Sequence, residues 1–103
     1  MKYIELDGYE LYIEKSRYFS GRLALQLWDA KDGGPYVTMT VNLPNYSLLE
    51  GDVILDTNNF PEVIELMEKY NLGKWTNNMA FSGFCAYPIY HLNMEEIEKY
   101  CVK

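Results

Sequence analysis

The sequence predicts an α+β fold: a single domain over residues 1–103, with an antiparallel sheet of about five to six strands, one main helix (about 60–72) packed on it, and a short C-terminal helix (about 94–101). Three observations predict it. Apolar and polar residues alternate with period two through much of the first half, the mark of strands with one buried face. At residues 53–73 a short apolar run, Val53-Ile54-Leu55, meets a polar turn that opens the strongest helical pattern in the chain. A second, shorter helical pattern follows Asn93. A chain of 103 residues can bury one core without staples, and no repeat, linker or low-complexity stretch divides it.

The elements follow in order. Residues 2–6 and 9–17 flank Asp7-Gly8, a dipeptide suited to the type I′ turn of a tight hairpin. In the second arm Tyr9, Leu11 and Ile13 alternate with Glu10, Tyr12 and Glu14. Ser20-Gly21 permits a turn into a third strand, where Leu23, Leu25 and Leu27 share one face. Residues 29–35 read as a loop. Residues 36–43 alternate most clearly: Val37, Met39, Val41 and Leu43 are expected inside, Tyr36, Thr38, Thr40 and Asn42 outside. Val53–Leu55 reads as a short strand. In the helix that follows, Asn59 is a candidate cap with Glu62 as its capping-box partner, Pro61 fits the first turn, and Gly73 is a candidate left-handed stop. Val63, Ile64, Leu66, Met67 and Tyr70 form its apolar stripe. Residues 74–83 read as a loop, and 84–92 as a strand that Pro88 assigns to an edge or a bulge. Asn93 with Glu96 forms a second capping box, with Met94, Ile97 and Cys101 facing the body.

Composition narrows the function classes. The chain is 49% hydrophobic and 23% charged, in the globular range, with ten tyrosines that can close a core edge or form a binding face. Its net charge of −6 is uneven. Residues 1–22 balance, whereas residues 23–68 carry Asp29, Asp32, Glu50, Asp52, Asp56, Glu62, Glu65 and Glu68 against Lys31 alone. Such a stretch repels phosphate backbones and attracts basic protein surfaces, which argues against direct nucleic-acid binding. No apolar run is long enough to span a membrane and no secretion signal is evident, so a cytoplasmic protein with reduced Cys85 and Cys101 is expected.

Catalytic signals are weak. Cys85 and His91 are the only nucleophile–base pair to consider, and on one extended strand they lie roughly 20 Å apart. The Asp29–Asp32 loop is a poor calcium site because Lys31 occupies a ligand position. No cofactor or metal is expected, and the protein reads as a non-enzyme. Asp56-Thr57-Asn58-Asn59 could hold a ligand at the helix start or satisfy its own backbone donors.

Several runs carry a resemblance. Gly34-Pro35-Tyr36, Thr40-Val41-Asn42-Leu43, Asp56-Thr57-Asn58-Asn59, Ser82-Gly83-Phe84-Cys85, Tyr87-Pro88 and Tyr90 occur here in an order similar to that of an uncharacterised family. That family comprises acidic proteins of ~100 residues encoded on plasmids, phages and conjugative elements of Firmicutes. The chain departs from the family pattern at Gly34, where an acidic residue is usual, and at Lys74-Trp75-Thr76-Asn77-Asn78, where a Pro-Thr-Gly run is usual. The resemblance brings no catalytic residues. It implies a binding role against host or rival defences, such as inhibition of a CRISPR or restriction nuclease. With the acidic stretch, it makes Asp29, Asp32, Tyr36, Tyr46, Glu50, Asp52, Glu62, Glu65 and Glu68 the candidate contacts with a basic protein partner. The alternative is a nucleotide-like small molecule held by Asp56, Thr57, Asn58 and Tyr87.

Overall fold

The computed structural model describes residues 2–102. Strands β1 (Ile4–Leu6), β2 (Tyr9–Arg17), β3 (Leu23–Asp29) and β4 (Pro35–Thr38) form a four-stranded sheet in sequence order. Strands β5 (Asp52–Ile54), β6 (Gly73–Ser82) and β7 (Cys85–Leu92) form a three-stranded sheet in the order β5-β7-β6. All pairings within the two sheets are antiparallel. Helix α1 (Val63–Lys69) connects β5 to β6, and α2 (Met94–Lys99) follows β7. The expected α+β class is the one observed, with the strands divided between two sheets. Asp7 and Gly8, at φ 50° and 82°, both take the left-handed backbone that a type I′ turn requires.

The segment expected as one strand over 36–43 instead joins the sheets. Regular pairing with β3 ends at Thr38, and residues 39–41 cross to the second sheet. Met39 N donates to Leu25 O at 2.9 Å, Asp56 N to Met39 O at 2.9 Å, and Val41 N to Ile54 O at 2.9 Å. Thr40, expected outside, is buried at the crossing. Its hydroxyl accepts from Leu25 N at 3.2 Å and bonds the Tyr18 hydroxyl at 2.8 Å. A β-branched side chain with one polar atom suits this point, because the atom replaces a ladder acceptor that the bend removes.

Two apolar clusters result. The larger lies where both sheets meet the helices, with Ile4, Leu11, Leu25, Leu27 and Met39 facing Val63, Leu66, Met67 and Ile97. The smaller lies under the 41–48 loop, where Val41, Leu43, Tyr46 and Leu48 cover Ile54, Ala80, Tyr87 and Ile89. Strand β7 is therefore buried on both sides, which explains its near-continuous apolar run.

Four local expectations are corrected. First, residues 74–83 are mostly strand: β6 runs for ten residues beside β7, and the irregularity is confined to a bulge at Thr76-Asn77, with Asn77 at φ 68°. Second, Pro88 lies in a central strand. Its carbonyl accepts from Leu55 N at 3.1 Å, so its nitrogen faces the same side, beyond Ile54 where β5 ends and no ladder bond is lost. Third, the capping box at Asn59 does not form. The Asp56 carboxylate takes Asn59 N at 3.2 Å and Asn59 Nδ2 at 3.0 Å, and α1 starts later, with Glu62 in the cap position and no side-chain cap bond. The Asp56 carboxylate thereby takes the backbone donor that the capping box assigns to Glu62. Fourth, the left-handed residue after α1 is Asn71 (φ 55°), not Gly73. Gly73 is needed for close approach, since a Cβ there would sit 2.6 Å from the His91 carbonyl oxygen. At α2 the Asn93 side chain does accept from Glu96 N, at 3.4 Å, while Glu96 itself receives the Lys99 ammonium at 2.8 Å.

Among the described residues no helix is long and apolar enough to cross a membrane.

Candidate functional site

Antiparallel pairing sorts the charges of the first sheet toward its two ends. At the turn end of β2, Tyr9 and Tyr36 pack with ring centroids 5.3 Å apart and planes inclined at 51°, and the Tyr36 hydroxyl reaches the Asp7 carboxylate at 3.4 Å. Asp29 sits opposite Leu11, and Ala30 N donates to Glu10 O at 2.9 Å, so the Asp29–Asp32 turn lies beside the β1–β2 hairpin. Within that turn Asp29 Oδ1 accepts from Lys31 N at 2.9 Å and Asp32 Oδ1 from Gly34 N at 2.8 Å. Each carboxylate is thereby fixed in direction and keeps its second oxygen for another donor. Burial, then the neighbouring Asp7, and more weakly Tyr9 and Glu62, push the Tyr36 phenol above its ordinary range. Asp7, Asp29 and Asp32 thus lie at the end of the sheet that holds this tyrosine pair, with Lys31 the basic residue of that loop, while Glu10 follows Tyr9 in β2 and points to the opposite face.

At the far end of β2 lies a cleft of about 500 Å³. Nine residues of strand separate the two ends by roughly 25 Å. Lys15 and Arg17 line one wall, Glu50 and Gly51 the turn before β5, His91 the end of β7, and Leu23, Leu92 and Met94 an apolar floor. The Arg17 guanidinium meets the Glu50 carboxylate at 2.9 Å and the Gly21 carbonyl at 2.8 Å. Lys15 pairs with Glu98 of α2. His91 Nδ1 bonds Asp52 Oδ1 at 2.7 Å, the His side chain 60% exposed and the Asp only 10%. A near-buried carboxylate thus holds one ring nitrogen and leaves Nε2 for other partners. The ring lies over Gly51, where a Cβ would come within 3.2 Å of Cε1.

The sequence-derived contact residues therefore do not form one surface. Asp29, Asp32, Tyr36 and Glu62 share the acidic end. Glu65 and Glu68 continue along the exposed face of α1. Glu50 and Asp52 belong to the cleft, each bonded to a basic group. Tyr46 sits in the smaller cluster, its hydroxyl accepting from Phe81 N at 2.6 Å and donating to Phe81 O at 3.2 Å. At the β5–α1 junction Asp56 is buried and committed to Asn59, Thr57 is half-buried and Asn58 is exposed. Tyr87 is buried nearby, and its phenol is held above the usual range by a hydrogen bond to Cys85, then by burial. Cys85 and His91 occupy the two ends of β7. No group of three or more His, Cys, Asp or Glu that could hold a metal ion occurs among the described residues.

Sequence reasoning missed Asp7, Tyr9 and Glu10 at the acidic end, and at the cleft it named Glu50 and Asp52 but not Lys15, Arg17 or the pairing of His91 with Asp52. The hairpin residues carried a usable signal, since Asp7-Gly8 fixes which residues share its turn end. The cleft carried none: Asp52 and His91 are 39 residues apart and meet only through the register of β5 on β7.

No curated protein and no solved structure matches the chain. A family model described as a domain of unknown function, DUF4313, matches residues 8–103, and the chain belongs to that uncharacterised family.

Proposed function

We propose that the protein is a non-enzymatic binding protein of a mobile genetic element, one that inhibits a bacterial defence nuclease of the CRISPR or restriction type by occluding its basic nucleic-acid-binding surface. The observation that carries this reading is the acidic end, where Asp7 bonds Tyr36 of the Tyr9–Tyr36 pair beside the Asp29–Asp32 turn. Channels that hold nucleic acid are lined with Lys and Arg and use aromatic stacking. A surface that offers carboxylates around tyrosine rings is complementary to both. Asp29 and Asp32 are held by their own turn, which lowers the ordering penalty on binding. The family resemblance supplies the genetic context. The alternative, a nucleotide-like ligand at Asp56, Thr57, Asn58 and Tyr87, draws less support because the Asp56 carboxylate is spent on Asn59.

The test is expression in bacteria that carry a defined CRISPR or restriction system, with phage plating efficiency as the readout. Plating restored in at least one such host, with the nuclease co-purifying, is the expected result. Undiminished restriction in every host, with no nuclease retained on the immobilised protein, would overturn the proposal.

A further inference from the structure

We propose that the β6–β7 hairpin is a self-association surface: the face it turns away from the 41–48 loop packs on the same face of a second copy about a two-fold axis. The inference is independent of the docking reading, which rests on other residues.

Register fixes which side chains share that face. Ala80 pairs with Tyr87 and Ser82 with Cys85, and Ala80, Cys85, Tyr87 and Ile89 belong to the smaller cluster under the 41–48 loop. The residues that alternate with them point the other way. Trp75 opposite Tyr90, Met79 opposite Pro88 and Phe81 opposite Ala86 are successive pairs on that second face. The main core covers it at Tyr90, and Pro88 is still buried. Toward the turn the face is bare: Phe81 is 61% exposed, Ala86 is exposed, and Phe84 projects fully into solvent.

Charge selects the occupant. The chain carries −6, yet residues 75–90 hold no charged side chain. The bond from Leu55 N to Pro88 O sets the junction at 57–59 beside this hairpin, and its Thr57, Asn58 and Asn59 are uncharged too. A basic partner gains nothing here. Two copies of an acidic protein, by contrast, can meet on this face without like-charge repulsion. A two-fold contact also needs one patch to supply both projection and recess. Phe81 and Phe84 project, while Ala86 and Gly83 leave room, with nothing within 4 Å of where a Gly83 Cβ would stand. The exposed parts of Trp75, Phe81 and Phe84 amount to about 400 Å² per copy, so a dimer with its rim hides about 1,000 Å², the low end for specific interfaces. That area predicts a reversible dimer of micromolar strength. β6 is also an open edge, but the Tyr46 hydroxyl holds both backbone groups of Phe81, which favours packing of faces over addition of strands.

The experiment is sedimentation equilibrium of the whole chain from micromolar to millimolar concentration, at low and high salt. A dimer is expected, no weaker at high salt than at low. Phe81→Glu and Phe84→Glu bring carboxylates of the two copies together and should each weaken it at least about tenfold. Phe19→Glu, which alters an equally exposed phenylalanine outside the hairpin, should leave it unchanged. A monomer at every concentration, a dimer that dissociates as salt rises, an undiminished dimer in both hairpin variants, or equal weakening by Phe19→Glu would overturn the proposal. Melting of the variants within a few degrees of the parent, measured where the parent is monomeric, separates a lost contact from a lost fold.

Discussion

Tyr46→Phe isolates a contact that protects the open edge of the second sheet. β6 is an edge strand, and the backbone N–H and C=O of Phe81 point away from β7 to meet the Tyr46 hydroxyl at 2.6 and 3.2 Å. Unpaired edge groups invite pairing with another strand, and this hydroxyl blocks them at the regular part of β6, while the bulge at 76–77 disrupts the rest. Removing only the hydroxyl keeps the ring in the smaller cluster. Phe81 is 61% exposed, so water can reach the freed groups and no burial penalty arises. The loss is then two net hydrogen bonds, about 1–2 kcal/mol in all. For a domain of this size that lowers the melting temperature by about 5–10 °C. Tyr46→Ala also removes a half-buried ring and should lose about 2 kcal/mol more. Urea denaturation of the parent and both variants gives the energies, and light scattering across a concentration series reports edge pairing. Tyr46→Phe should unfold earlier and self-associate more than the parent. A parent-like midpoint together with parent-like scattering would refute the reasoning and return Tyr46 to the set of available contact residues.

Further outcomes follow from the same packing. Gly73→Ala drives a Cβ into the His91 carbonyl oxygen, 2.6 Å away and itself backbone, so it should destabilise by about 2–3 kcal/mol in chemical denaturation. Thr40→Val keeps the shape but strands Leu25 N and the Tyr18 hydroxyl at the sheet junction, for a loss of about 1–3 kcal/mol. The phenols of Tyr18, Tyr36, Tyr90 and Tyr100 are all raised above the ordinary value of 10.0, with burial the leading cause in each. A raised folded-state value favours the neutral phenol in the fold. The resulting stability is complete below the unfolded value near 10.0 and is lost as pH rises through the folded values. Melting temperature should therefore fall above pH 10 together with the absorbance change of phenolate formation.

What was legible in the sequence is what neighbouring residues decide. Asp7-Gly8 fixes a hairpin because two consecutive left-handed residues leave few alternatives. The stripe from Val63 to Tyr70 fixes the buried face of α1 because helical spacing is a local property. Where two local demands compete, the expectation fails: Asp56 and Glu62 can both accept from Asn59 N, and Asp56 takes it. Strand β6 is obscured because Asn77-Asn78 has turn chemistry, and only pairing with β7 shows a bulge at Thr76-Asn77 within a strand. The candidate sites depend on pairing. Charge summed along residues 1–22 is zero, yet folding β2 between β1 and β3 leaves Asp7 and Glu10 at one end and Lys15 and Arg17 at the other. A linear count averages away that separation.

The proposed docking role turns on whether the carboxylates of the acidic end make the contact. Glu10 and Glu62 are exposed and can be reversed to Lys, while Asp29→Asn and Asp32→Asn keep the Oδ1 acceptors of their turn and remove the charge. Asp7 is left alone because its left-handed backbone is part of the hairpin. The measurement is cleavage of target DNA by the co-purified nuclease in the presence of the parent, this four-site variant, or Arg17→Gln, with melting temperatures recorded for each. The expected result is protection by the parent and by Arg17→Gln, and none by the four-site variant at a melting temperature within a few degrees of the parent. Full protection by a folded four-site variant would contradict it.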